Sequence, residues 1–136
     1  MKTFKLKSLQ IIESINEDLV KTDITLEDGL IINREDDKNS WLIEAYIDKD
    51  YLVFFKDLRS RRDQIMVEVR ITKDSNAPAT FITTIDGLHE VGKHISVIFM
   101  GTIVDKRKSK IEEMLENLIE KGYQGEELLE KFKQLI

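Results

Sequence analysis

From Phe4 to about Val104, apolar side chains recur mostly at every second position, the spacing that puts alternate residues on one face of a β-sheet. Phe4 and Leu6 share one parity and Leu9 and Ile11 the other, so the first strand is expected to change face near Ser8 through a bulge or bend. Ile24, Leu26, Leu30 and Ile32 surround Asp28-Gly29, a dipeptide favoured at the centre of a type I′ turn, which predicts a hairpin over residues 23–34. Trp41, Ile43, Ala45 and Ile47 alternate with Glu44 and Asp48, and Asp48-Lys49-Asp50 is expected to turn the chain into a partner strand over residues 51–55. Ile65, Val67, Val69 and Ile71 oppose Glu68, Arg70 and Thr72, a strand with one face in the core and the other in water, ended by Asp74, Ser75, Asn76 and Pro78. A short strand over residues 81–85 follows, with Asp86-Gly87 as its turn signal. Between Ile95 and Val104 both parities are apolar: Ile95, Val97, Phe99 and Ile103 on one, Ile98, Met100 and Val104 on the other. The outer face of that strand therefore needs a cover.

The pattern then changes period. Ser109-Lys110-Ile111-Glu112 fits the S-x-x-E capping box that satisfies the free backbone donors at a helix start. Ile111, Met114, Leu115, Leu118 and Ile119 form one helical stripe, and Gly122 stands where a C-cap glycine belongs. A second helix is predicted from about Glu126 to the end, with Leu128, Leu129, Phe132, Leu135 and Ile136 on one face. The short link Gly122-Tyr123-Gln124-Gly125 sets the two antiparallel, with their apolar stripes pooled on the last strand. The fold class that follows is mainly β (α+β): an antiparallel β-barrel-like core over residues 1–105, and a C-terminal antiparallel two-helix pair over residues 106–136 packed on it. The joint between the two falls near residues 105–109.

Composition narrows the chemistry. With 136 residues, 35% of them charged and 41% hydrophobic, the chain has the size and apolar content of one globular domain. The net charge of -5 opposes a phosphate-backbone partner, so nucleic acid is not expected unless a local basic patch reverses the balance. The absence of cysteine excludes disulfides, thiolate nucleophiles and thiolate-bound metal. The N-terminal stretch lacks the apolar core of a secretory signal, and no window approaches the roughly 18 apolar residues of a spanning helix. A cytoplasmic protein without membrane contact is expected.

Lys56, Arg59, Arg61 and Arg62, flanked by Asp57 and Asp63, form the tightest basic cluster, read as a loop between two strands. Planar guanidinium forks there could meet a phosphate, a carboxylate or a partner, which makes this the best local candidate for an anion site. Tyr51, Phe54 and Phe55 precede it, as aromatics do in single-strand binders, although core packing accounts for them more simply. His89 and His94, near Asp86 and Glu90, match no metal spacing and read as loop histidines. Glu35-Asp36-Asp37 reads as a solvated turn, because a calcium loop needs ordered ligands and a closing glutamate. The basic run Lys106, Arg107, Lys108 and Lys110 leads into Glu112, Glu113, Glu116 and Glu120, which neutralise it. No G-x-S-x-G serine or phosphate-cradling glycine loop occurs, and no histidine is evidently oriented for acid–base work; the chain reads as a non-enzyme without metal or cofactor.

The opening Met1-Lys2-Thr3-Phe4-Lys5-Leu6, continuing through Ser8-Leu9-Gln10, resembles the start of the YwpF-like family of small Gram-positive bacterial proteins. That resemblance implies a β-barrel core similar to the tube-forming proteins of type VI secretion, followed by a two-helix pair, and brings no catalytic residues. A shared barrel does not carry a shared function. The expected function is a non-catalytic interaction or assembly protein, with a protein partner or copies of itself. The alternative is a binder of an anionic ligand or single-stranded nucleic acid through the basic barrel-rim loop.

Overall fold

The computed structural model describes residues 1–104 and 111–135. Its strands are β1 (Lys2–Ile15), β2 (Asp18–Ile24), β3 (Leu26–Asn33), β4 (Ser40–Asp48), β5 (Ile65–Ile71), β6 (Ala79–Val91) and β7 (His94–Ile103). A 3-10 turn, Lys49–Tyr51, leads into α1 (Leu52–Arg61), and α2 (Ile111–Glu120) and α3 (Gly125–Leu135) follow β7. The sheet order is β2-β1-β3-β4-β7-β6-β5, and β1 also pairs with β5. That last pairing closes β1, β3, β4, β7, β6 and β5 into an antiparallel barrel, leaving β2 outside the ring. The mainly β class, the barrel and the C-terminal helix pair are thus as expected.

β1 is the seam. One of its edges pairs first with β3, from Lys2↔Asn33 to Lys5↔Leu30, and then with β2, from Leu9↔Ile24 to Ile15↔Asp18. Its other edge pairs with β5, and the register shifts between Leu6 and Ser8. This is the expected bulge, and it lets Leu6, Leu9 and Ile11 all turn into the barrel, each no more than 2% exposed.

The hairpin expected at Asp28-Gly29 is not there. The tight turn lies earlier, at Asn16-Glu17, where both residues have positive φ (50° and 68°) and join β1 to β2. Asp28 and Gly29 lie inside β3, at a register shift against β4. Glycine is needed there for close approach: a Cβ would stand 2.9 Å from Leu6 Cδ2 and 3.0 Å from the Glu44 carbonyl oxygen. Asp86-Gly87 is likewise a bulge within β6, which runs on to Val91, and the turn into β7 is made at Gly92, whose φ is +60°.

Residues 51–55 form no strand either. Tyr51, Phe54, Phe55 and Leu58 recur at helical spacing, and Asp48 caps the entry by accepting the Asp50 N–H at 2.8 Å. α1 plugs one mouth of the barrel, with Phe55 and Leu58 fully buried and the Phe55 ring 6.0 Å from that of Phe99. The Tyr51 hydroxyl accepts the Thr25 N–H at 3.0 Å and so ties the plug to the join of β2 and β3. At the opposite mouth Trp41 packs edge-on against Phe81.

α2 and α3 do not cover the last strand. The register sets Ile12, Met66 and Ile82 side by side across β1, β5 and β6, and these three with Val104 receive Leu115, Leu118, Leu128 and Phe132. The outer face of β5, expected in water, therefore carries a buried Met66. Ile98 and Met100, on the outer face of β7, lie outside that cluster and stay half-buried. α2 ends as expected, with Gly122 at φ +96° and the Tyr123 N–H donating to the Leu118 carbonyl at 3.1 Å. The capping-box residues Ser109 and Lys110, the joint at 105–109, the basic run at 106–110 and Ile136 lie outside the described residues.

Candidate functional site

The four basic residues stand on and just after a helix, not in a loop. Lys56 and Arg59 project from α1, exposed and in no ion pair among the described residues. Arg61 and Arg62 already hold a carboxylate of their own chain. Arg62 Nε donates to Glu13 Oε2 at 2.9 Å and Arg61 Nη1 to the same oxygen at 3.2 Å, while the Glu13 side chain is only 4% exposed. Arg61 Nε also donates to Asp57 at 2.7 Å, and that hydrogen bond, ahead of the Glu13 contact, raises the guanidinium above its already high pKa. Glu126 accepts the N–H groups of Asp63 and Gln64 beside this cluster, and the Gly125 N–H donates to Ser14 Oγ. Arg61 and Arg62 thus tie the end of α1 to the end of β1 at one buried carboxylate, and the start of α3 is bonded to both segments beside it.

A second feature lies on the outer face of the barrel. There the register aligns Asp28, Tyr46, Ser96 and His89 in one cross-strand row, and Lys5, Leu30, Glu44 and Ile98 in the next. Part of this surface forms a concavity of about 740 Å³ with Leu30, Tyr46 and Val91 as apolar walls and Lys5, Asp28 and Glu44 as charges. Tyr46 is held by the His94 ring stacked on it, with centroids 4.6 Å apart. Glu44 accepts the Ser96 hydroxyl at 3.1 Å and pairs with no cation among the described residues. An aromatic anchor, apolar walls and a carboxylate with spare acceptor capacity suit a contact with another molecule.

The other acidic and histidine candidates are engaged locally. Asp36 accepts the Ser40 hydroxyl and the N–H groups of Ser40 (2.9 Å) and Lys38 (3.2 Å), and the Ser40 hydroxyl, followed by its N–H, holds the Asp36 carboxyl below the usual range. The Glu35-Asp36-Asp37 run is thus a turn whose middle carboxylate is already occupied. His89 and His94 sit on β6 and β7, not in a loop. Glu90 pairs with Lys49 at 3.1 Å, and Asp86 accepts the Thr84 hydroxyl.

Sequence reasoning did not find the groove. Its lining residues Lys5, Leu30, Glu44, Tyr46 and Val91 come from four different strands, and the two-sided apolar strand β7, whose outer face points to a helix cover, adds only Ser96, so no local pattern marks it. Among the described residues no helix is long and apolar enough to cross a membrane.

The family described as YwpF-like protein matches residues 2–135 of the chain. The chain is 40% identical over 134 residues to the uncharacterized protein YwpF of Bacillus subtilis (strain 168), covering 98% of each. It is also similar to the crystal structure of a hypothetical protein from Staphylococcus aureus, with a TM-score of 0.71, 32% identity, and coverage of 99% of this chain and 92% of that one.

Proposed function

The chain belongs to the YwpF-like family, and on that premise we propose that it is a non-catalytic interaction protein that docks a protein partner in the outer groove walled by β3, β4 and the end of β6. The observation that carries this reading is Glu44, a carboxylate among apolar walls with a hydroxyl as its only partner and no cation among the described residues. A partner's cation arriving over Tyr46 and Leu30 would pair with it while water is excluded, the arrangement of an interface anchor. Affinity capture from the native cell, with the intact protein as bait, tests this. Glu44→Arg should lose proteins that the wild type and Arg70→Ala retain, and identical captures by all three would sink the reading. The protein is expected in the cytoplasm, where cell fractionation should recover it.

A second reading, anion binding, keeps one supporting observation: Lys56 and Arg59 on α1, exposed and in no ion pair among the described residues. Salt-sensitive binding of oligothymidylate or inorganic phosphate, lost in Lys56→Ala/Arg59→Ala, would support it. The tube-protein likeness implied by the family resemblance bears on function only through self-association, which solution mass measures.

A further inference from the structure

We infer that the occupant of the groove is α1 of a second copy of this chain. The inference rests on the groove reading above and adds who fills it. Two surface features have no explanation within one molecule, and each supplies what the other lacks. The first is the groove, whose apolar walls Leu30, Tyr46 and Val91 carry the carboxylates of Glu44 and Asp28 against the single ammonium of Lys5. Val91 is itself 48% exposed. The second is the outer side of α1, where Val53 is 77% exposed, as much as Met1 and more than any other large apolar side chain among the described residues. Val53, Lys56 and Ser60 follow one line along that helix, with Arg59 on one flank and the neutralised Asp57–Arg61 pair on the other.

An apolar knob beside two cations that have no ion pair among the described residues is the complement of an apolar-walled groove beside carboxylates that outnumber its cation. Val53 of the second copy seats against Leu30 and Val91, while its Lys56 and Arg59 reach Glu44 and Asp28. Because two different surfaces meet, the contact is heterologous, and association runs on unless the rotation between copies closes a ring.

Light scattering after size exclusion, on the full chain across protein concentration and at low and high salt, tests this. The wild type should exceed the mass of one chain at low salt and dissociate as salt screens the charges. Glu44→Arg alone, and Lys56→Glu/Arg59→Glu alone, should each weaken association by about tenfold or more, and an equimolar mixture of the two should recover it, since each restores the charge that the other reverses. Far-UV circular dichroism establishes that each variant is folded, and should one fail to fold the other carries the test. A wild type that stays monomeric throughout, or an oligomer indifferent to both reversals, overturns the inference. The groove reading fails separately. If the wild type is monomeric but cellular partners are lost in Glu44→Arg, the groove stands with another occupant; if captures are unchanged, the groove itself falls.

Discussion

At Glu13 one carboxylate oxygen serves two guanidinium groups of unequal exposure, 16% for Arg62 and 41% for Arg61. Arg62→Ala would leave a buried carboxylate with only the more exposed partner, so a loss on the order of 3 kcal/mol in urea unfolding is expected, against less than about 0.5 kcal/mol for Arg59→Ala. The basic cluster was legible in the chain, but the division of labour within it was not. What separates Arg62 from Arg59 is a glutamate 49 positions earlier, which no local spacing reveals. Asp36 gives a pH test. Its carboxyl is held below the ordinary range of about 4, so its stabilising contribution is fully present above that range and is lost as pH falls through the lower folded value. A carboxyl titration followed by NMR should place the Asp36 midpoint below that of an ordinary aspartate. Ser40→Ala should move it upward, because the largest cause of the depression is gone; no movement would refute the assignment.

Among the elements, α1 plugs one mouth of the barrel, and Phe55→Ala is expected to cost roughly 3–5 kcal/mol by emptying the volume beside Phe99. Gly101→Ala should cost on the order of 3 kcal/mol by the opposite route, since a Cβ there would lie 2.0 Å from the Ile82 carbonyl oxygen, and that neighbour is backbone and cannot rotate away. Denaturant midpoints of the two variants check both values. α1 escaped the sequence reading because Tyr51-Leu52-Val53-Phe54-Phe55 is an unbroken apolar run, which strand and helix accommodate equally; its helical period emerges only when Leu58 is counted. The two Asp-Gly dipeptides misled in a related way. A bulge and a tight turn ask for the same residues, and what decides between them is the chain lying opposite, as Leu6 does at Gly29. Elements with an uninterrupted period, such as β5 and α2, were readable because successive positions agreed.

The whole molecule has two apolar clusters, one inside the barrel and one between its outer wall and the helix pair. Phe132→Ala, fully buried in the second, should therefore loosen α2 and α3 before the barrel. Helical circular dichroism should be lost at lower urea than the fluorescence change of Trp41, which packs in the barrel's far mouth; coincident transitions would show that the clusters unfold as one. The groove illustrates the remaining gap in legibility at this scale, because its walls come from β3, β4 and the end of β6, and only the finished sheet brings them together. The pairing of β1 with β5 also sets an order in time. As the chain is synthesised, β1 to β4 can pair in sequence, yet one edge of β1 stays open until Ile65–Ile71 have emerged. The Ile12–Met66–Ile82 row that seats the helices does not exist until that edge is filled and β6 has joined it. α2 and α3, made after these strands, thus have nowhere to dock on an unclosed barrel, and docking of the helix pair is a late step that reports a completed one.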